Sequence, residues 1–268
     1  MKLNTRIIGE GSDLIILHGL YGSGDNWLTF ARQLAGNFRI HLPDQRNHGN
    51  SPHHPEHSYK AMVGDLVEYI SEQNIQHPVI LGHSMGGKTA MWLSITHPEI
   101  ASKLIVVDIS PVSYAKVMNP SVLIEQHLNI VSAMRSIDLT SVKTRSDIDK
   151  ELAVYVPSER VRQFLIKSID REKDGTYNWK LNIDAISNYL PEIMKGIEIE
   201  KFASSINPAM PVLFVKGELS EYIPESDFDA IKKLYPQAEI ETIFDAVHWI
   251  HAEKPEAFLS VIKNFLGI

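Results

Sequence analysis

Val79-Ile80-Leu81-Gly82-His83-Ser84-Met85-Gly86-Gly87-Lys88 is the stretch on which the fold turns. A short apolar run leads into the pattern G-x-S-x-G, and a helix-forming stretch (85–96) follows, which is the strand–turn–helix setting this pattern requires. In such a turn the serine backbone is strained. The glycines two residues to either side leave space where any Cβ would strike neighbouring backbone. The strain drives the hydroxyl of Ser84 into the open, and the next helix aims its N-terminal N–H groups at the same place, so the Met85 amide is positioned to stabilise an oxyanion. An ordinary Gly-rich turn between a strand and a helix is the alternative reading of these residues taken alone, so the weight falls on what surrounds them.

Working outward, short apolar runs bounded by turn residues recur at 14–17, 39–42, 79–81, 104–107, 212–215 and 240–244. Runs of this length suit buried parallel strands. Helical spacing fills most of the intervals, at 27–34, 59–71, 85–96, 228–234 and 255–265. Alternation of this kind predicts an α/β fold with a mostly parallel central sheet flanked by helices. It breaks at 113–202, where helix-like stretches (122–134, 147–154, 160–169) follow one another with no convincing strand. The expected organisation is a core formed by 1–112 and 203–268 with a helical cap, or lid, inserted at 113–202. Acidic and basic residues balance within the cap, so it shows no preference for polyanions. Its apolar content suits either a roof over a pocket or plain packing of amphipathic helices on the core.

Composition narrows the chemistry. At 268 residues the chain is long enough for one domain with an insertion, and its 44 % apolar and 22 % charged residues are those of an ordinary globular protein. There is no cysteine, which removes disulfides, thiolate nucleophiles and Cys-ligated zinc. A formal net charge of −7 argues against nucleic acid as a partner, since phosphates demand clustered Lys and Arg. The N-terminal residues run into polar ones without a signal-peptide core, and 14–17 is far too short to span a bilayer. A cytoplasmic protein with no membrane partner is expected; its oligomeric state is not readable.

His18-Gly19-Leu20-Tyr21-Gly22 directly follows the run 14–17, where folds with this serine turn place their second oxyanion donor, here the Leu20 amide. His18 and Gly19 read as structural. Two further stretches join these: Asp44-Gln45-Arg46-Asn47-His48-Gly49-Asn50-Ser51 and Val107-Asp108-Ile109-Ser110-Pro111. With the serine run extended to Lys88-Thr89-Ala90-Met91, they make the chain resemble the α/β-hydrolases throughout its core, and more narrowly the bacterial YbfF-type esterases. The stretch 44–51 and the serine run 82–91 are common in outline across that superfamily, and the Asp108 motif is the discriminating one.

A serine hydroxyl needs an imidazole to take its proton and return it to the leaving group. Of twelve histidines, His248 is the candidate base: Phe244-Asp245-Ala246-Val247-His248-Trp249 follows the last strand-like run with a helix still to come. His48, His83 and His251 read as packing or hydrogen-bonding groups, Asp245 as a turn former, and Trp27 and Trp249 as core. The acid has to hold the imidazole tautomer. Its common position follows the run 212–215, where Lys216-Gly217-Glu218-Leu219-Ser220-Glu221 carries a serine in place of the usual aspartate. Asp108 is the alternative implied by the resemblance and keeps the order nucleophile, acid, base; Glu218 or Glu221 stays open as the acid.

The resemblance implies hydrolysis of carboxylic esters through an acyl-enzyme on Ser84, with small-molecule esters or acyl-thioesters as substrates. It calls for no cofactor and no metal. Haloalkane dehalogenases and epoxide hydrolases of this fold carry aspartate in place of Ser84, which speaks against both. Carbon–carbon bond hydrolases keep the serine and stay open as an alternative, although Ser220 weakens that link, as it does for cofactor-free haloperoxidases. A non-catalytic ligand-binding protein on the same fold is the other class, and a Ser84–His248 contact is the observation that separates it from an enzyme. A metal site at His48, His53, His54 and His57 lacks a strand-borne ligand set.

Overall fold

The computed structural model describes residues 1–112 and 120–268. Along the chain come β1 (Thr5–Ile8), β2 (Ser12–Leu17), α1 (Leu28–Arg32), β3 (Phe38–Pro43), α2 (Tyr59–Glu72), β4 (Val79–His83), α3 (Met85–Thr96) and β5 (Lys103–Val107). There follow α4 (Pro120–Ser136), α5 (Arg145–Ala153), α6 (Glu159–Ile166), β6 (Ile169–Arg171), β7 (Tyr177–Trp179), α7 (Ile183–Ile193) and α8 (Ile199–Phe202). The chain closes with β8 (Val212–Gly217), α9 (Phe228–Leu234), β9 (Glu239–Ile243), α10 (Ile250–Glu253) and α11 (Pro255–Leu266).

Seven strands form one sheet in the order β1-β3-β2-β4-β5-β8-β9. Every pairing is parallel except that of β1 with β3, so the expected mostly parallel sheet is present. The strands read as unbroken apolar runs because both faces are covered. In β2, Leu14 and Ile16 pack with Trp27, Phe30, Phe258 and Ile262 on one side, while Ile15 and Leu17 meet Met62, Leu66, Met91 and Leu93 on the other. Helix α2 shows the matching helical period, burying Tyr59, Met62, Val63, Leu66, Tyr69 and Ile70, and Ser58 caps its first turn by accepting from the Ala61 amide at 3.1 Å.

Strand order reverses beside β2: its neighbour β3 lies on one side and β4 on the other. At such a point the loops leaving the carboxyl ends of adjacent strands diverge and open a crevice. The loop after β2 carries Leu20, the turn after β4 carries Ser84, the turn after β5 carries Asp108, and the loop after β9 carries His248.

Three expectations are corrected. The helix expected at 27–34 is a 3-10 turn (Gly24–Trp27) followed by the short α1. The run 240–244 is shifted: β9 ends at Ile243, and Phe244 lies beyond it, 70 % exposed. The insertion is not strand-free, because β6 and β7 form an antiparallel ribbon. Its strands, Ile169–Arg171 and Tyr177–Trp179, are only three residues long, too short for a period to stand out in the sequence. The signal was the turn Asp174-Gly175, where Gly175 has φ +93°. Residues 113–119, within the expected cap, lie outside the described residues. From 120 onward, α4 to α8 and the ribbon lie in sequence between β5 and β8. Among the described residues no helix is long and apolar enough to cross a membrane.

Candidate active site

Ser84 sits between β4 and α3 with φ 52° and ψ −119°, a backbone state that L-residues avoid. It is held there from both ends: its amide donates to Val107 of β5 at 3.0 Å, and its carbonyl accepts the Lys88 amide at 3.0 Å. A Cβ on Gly82 would come within 2.2 Å of the Gly86 carbonyl oxygen, and one on Gly86 within 2.4 Å of the Leu17 carbonyl oxygen. The turn therefore closes only with glycine at both positions. Met85 opens α3, and the first N–H groups of a helix have no partner within it.

The loop after β2 passes over the serine: a Cβ on Gly19 would lie 3.2 Å from the Ser84 Cβ. A turn closed by the Gly22 amide on the Gly19 carbonyl (3.1 Å) and a left-handed Tyr21 (φ 66°) shapes it. The Tyr21 amide is spent on His48 Nε2 at 3.2 Å, whereas the Leu20 amide has no hydrogen-bond partner among the described residues. Leu20 lines the cavity next to Ser84, and Met85 follows Ser84 at the start of α3.

The stretch 44–51 is the scaffold under this loop. Gln45 donates twice to His18, its backbone amide to His18 Nε2 at 2.9 Å and its side-chain amide to the His18 carbonyl at 2.7 Å. His48 donates Nδ1–H to the Arg46 carbonyl at 2.9 Å while its Nε2 receives Tyr21. Asp44 accepts the Gly24 and Asn50 amides, each at 2.9 Å, and Arg46 forms a buried two-pronged pair with Asp65 at 2.6 and 2.9 Å. Both nitrogens of His48 are thus committed to backbone, and among the described residues no three His, Cys, Asp or Glu are grouped to hold a metal ion.

Asp108 is fully buried at the end of β5, left-handed at φ 51°. One carboxylate oxygen accepts the Gly217 amide at 3.0 Å; the other accepts the Ser220 hydroxyl and His248 Nδ1–H, the latter at 2.8 Å. Burial pushes the Asp108 carboxyl up, and the Ser220 and Gly217 donors oppose it. Burial pushes the His248 imidazole down, with the charge of Glu253 opposing and that of Arg160 adding to the effect. A neutral His248 bonded through Nδ1 turns Nε2 to the proton-accepting role. The alternatives for the acid lie elsewhere: Glu218 accepts the Asp245 amide at 3.0 Å, and Glu221 lines the cavity. Ser220, standing where aspartate is usual, holds Asp108 instead.

Ser84 and His248 line one cavity of about 880 Å³, shared with Leu20, Tyr155, Phe164 and Trp249. The Ser84–His248 contact that separates an enzyme from a binding protein is not closed by a hydrogen bond among the described residues, although both residues line the cavity. Such bonds commonly tighten only around substrate. His83, read as structural, donates Nε2–H to the His248 carbonyl at 2.9 Å, and His251 stacks on Trp27 at 4.0 Å. Trp249, set aside as core, lines the cavity.

Three contributors escaped sequence reasoning. Tyr222 stacks on His248 at 3.9 Å. His127 of α4 reaches across to the Tyr21 hydroxyl at 3.2 Å, with burial lowering its pKa to about 4, so it faces the cavity uncharged. Glu253 takes the backbone amides on either side of His248. None carries a motif, because each acts through a contact made only in the folded chain.

A model described as the alpha/beta hydrolase fold matches residues 14–134. The sn-1-specific diacylglycerol lipase ABHD11 of Danio rerio is 36 % identical over 267 residues, covering 96 % of this chain and 79 % of that protein. Esterase YbfF of Escherichia coli K12 is 35 % identical over 272 residues, covering both chains completely. Among solved structures, a marine microorganism esterase superposes with a TM-score of 0.91 at 45 % identity, covering 98 % of this chain and 99 % of that one.

Proposed function

Since the chain belongs to the α/β-hydrolase family, we propose that it is a serine esterase, hydrolysing carboxylic esters through an acyl-enzyme formed on Ser84. The observation that carries this reading is the buried Asp108–His248 pair at 2.8 Å opening onto the same cavity as the strained Ser84. The likeness to a lipase, an esterase and a solved esterase supports esters as the substrate class.

In the proposed cycle, Ser84 Oγ attacks the ester carbonyl carbon as its proton passes to His248 Nε2. The carbonyl oxygen becomes an oxyanion held by the Leu20 and Met85 amides, donors fixed in place before the charge develops. Asp108 keeps His248 in the right tautomer and stabilises its protonated form. Collapse of the intermediate expels the alcohol, which takes the proton from His248. Water then repeats the sequence on the acyl-enzyme and frees Ser84. A thioester would follow the same steps with a thiol leaving. The inserted segment 113–202 would act as the lid, since α4 and α6 contribute Ile130, Val161 and Phe164 to the cavity.

The test is nitrophenol release from p-nitrophenyl esters, acetate to decanoate, with an acyl-thioester series alongside. Wild type should hydrolyse esters, Ser84→Ala should not, and the chain-length profile would report the cavity depth. Equal inactivity of both proteins on every substrate would defeat the esterase reading and favour a carbon–carbon hydrolase or a ligand-binding protein.

A further inference from the structure

The base loop is pinned at each backbone group next to His248. Glu253 Oε2 accepts the Val247 amide at 2.5 Å, Glu253 Oε1 accepts the Trp249 amide at 3.0 Å, and His83 takes the His248 carbonyl from below at 2.9 Å. One carboxylate therefore straddles the residue that carries the imidazole. Its side chain is only 8 % exposed, and it faces a single guanidinium: Arg160 Nη2 lies 2.5 Å from Glu253 Oε1. Arg160 does not come from the core. It stands on α6 of the inserted segment, lies over the Trp249 ring at 5.2 Å, and has Phe164 one turn on, packed against the same ring at 5.1 Å.

A carboxylate taken out of water needs its donors and counter-charge together. Here two donors belong to the base loop and the counter-charge to the insertion. From this geometry we infer that Glu253 is a positioning residue for His248 and that Arg160 completes its site, so that seating α6 on the core and holding the imidazole in line with Ser84 are one event. An insertion displaced from the core would leave Glu253 buried with no cation, and the carboxylate would turn toward water, releasing the Val247 and Trp249 amides. His248 would keep its partner Asp108 only loosely. The base is thus competent when the cavity is roofed.

This inference rests on Ser84 and His248 serving as nucleophile and base, so its test carries a readout independent of turnover. Glu253→Gln keeps the size of the side chain but leaves one acceptor oxygen for two amides. On p-nitrophenyl butyrate it should lower kcat by up to about 100-fold, the scale of a small misplacement of a reacting group, with KM within about twofold. Arg160→Ala should lower kcat by about tenfold, and Arg160→Lys, which restores the cation, should recover most of the loss. In proton NMR, the far-downfield Nδ1 proton shared by His248 and Asp108 should be sharp in wild type and broadened or lost in Glu253→Gln and Arg160→Ala. Wild-type kcat and an unchanged downfield proton in both variants would overturn the inference. Should Glu253→Gln fail to fold, Arg160→Ala decides, since its side chain is 47 % exposed and tolerates truncation. If wild type proves inactive on esters, the esterase reading falls, while loss or retention of the downfield proton still upholds or overturns the brace.

Discussion

At the residue scale, two acidic candidates occupy different places. Asp108 touches His248 Nδ1, while Glu221 lines the cavity. Asp108→Asn leaves the shape intact but offers an amide that favours the wrong imidazole tautomer, so kcat on esters should fall by about 10⁴-fold, with Glu221→Gln close to wild type. The reverse pattern would move the acid to the loop after β8. Ser220 earns a separate experiment because the serine looks like a loss in the sequence and turns out to be a donor to Asp108. Removing a donor from a buried carboxylate raises its pKa and weakens its hold on the imidazolium. Ser220→Ala should therefore lower kcat by about tenfold without changing KM, read in the same assay.

At the element scale, α3 is the member the site cannot spare. It is buried on nearly every side, from Met85 to Ile95, and reaches the sheet only because Gly86 lets its first turn meet the carbonyls of Leu17 and His18. Gly86→Ala sets a Cβ against rigid backbone at 2.4 Å, and should cost more than about 3 kcal/mol, seen as a collapsed melting transition in circular dichroism. Helix α7 is held differently. Its C-terminal end receives the Tyr59 hydroxyl on the Ile193 carbonyl at 3.0 Å, and just beyond it the buried Lys88 on the Lys195 carbonyl at 2.6 Å. Carbonyls at a helix end have no partner within the helix and favour a cation. Tyr59→Phe should accelerate amide exchange in α7 by about tenfold while leaving α3 protected. Uniform exchange across both would mean that α7 is not anchored there. Core strands were legible because each is an apolar run, and α2 and α11 because each has its helical period; β1 and the β6–β7 ribbon were not, being only four and three residues long with most positions exposed or half-buried.

At the scale of the whole molecule, the histidines dominate the acid side. His18, His41, His48, His57, His83, His127, His248 and His251 all sit below the ordinary value of 6.5 through burial, His57 and His248 at about 3 and His127 at about 4. An unfolded chain binds protons at these positions below 6.5, whereas the folded chain does not until its lowered values are reached. Stability is therefore fully present above 6.5 and is lost as pH falls through that window. Asp108, raised from 3.8 to about 7 by burial, runs the other way: its contribution favours the fold at low pH and is lost as pH rises to about 7. Eight imidazoles outweigh one carboxyl. Calorimetry should find Tm lower by about 10 °C at about pH 5 than at about pH 7.5; a flat Tm would mean that these histidines are not held neutral.

Read by itself, the sequence determined the α/β layering, the serine turn with its glycines, and the places of His248 and Leu20 in the loops after strand ends. All four follow from local rules: periodicity over a few residues, backbone conformations open only to glycine, and position relative to a strand end. Tertiary structure decided the rest. That Asp108 rather than Glu218 or Glu221 reaches the imidazole depends on β5 and β8 lying side by side. That 44–51 props the loop after β2, that His127 faces the cavity, and that Arg160 meets Glu253 across the insertion depend on side chains from distant segments arriving within hydrogen-bond reach. Spacing along a chain carries no record of such meetings, because a polar residue has the same local signature whether its partner is water or a buried carboxylate.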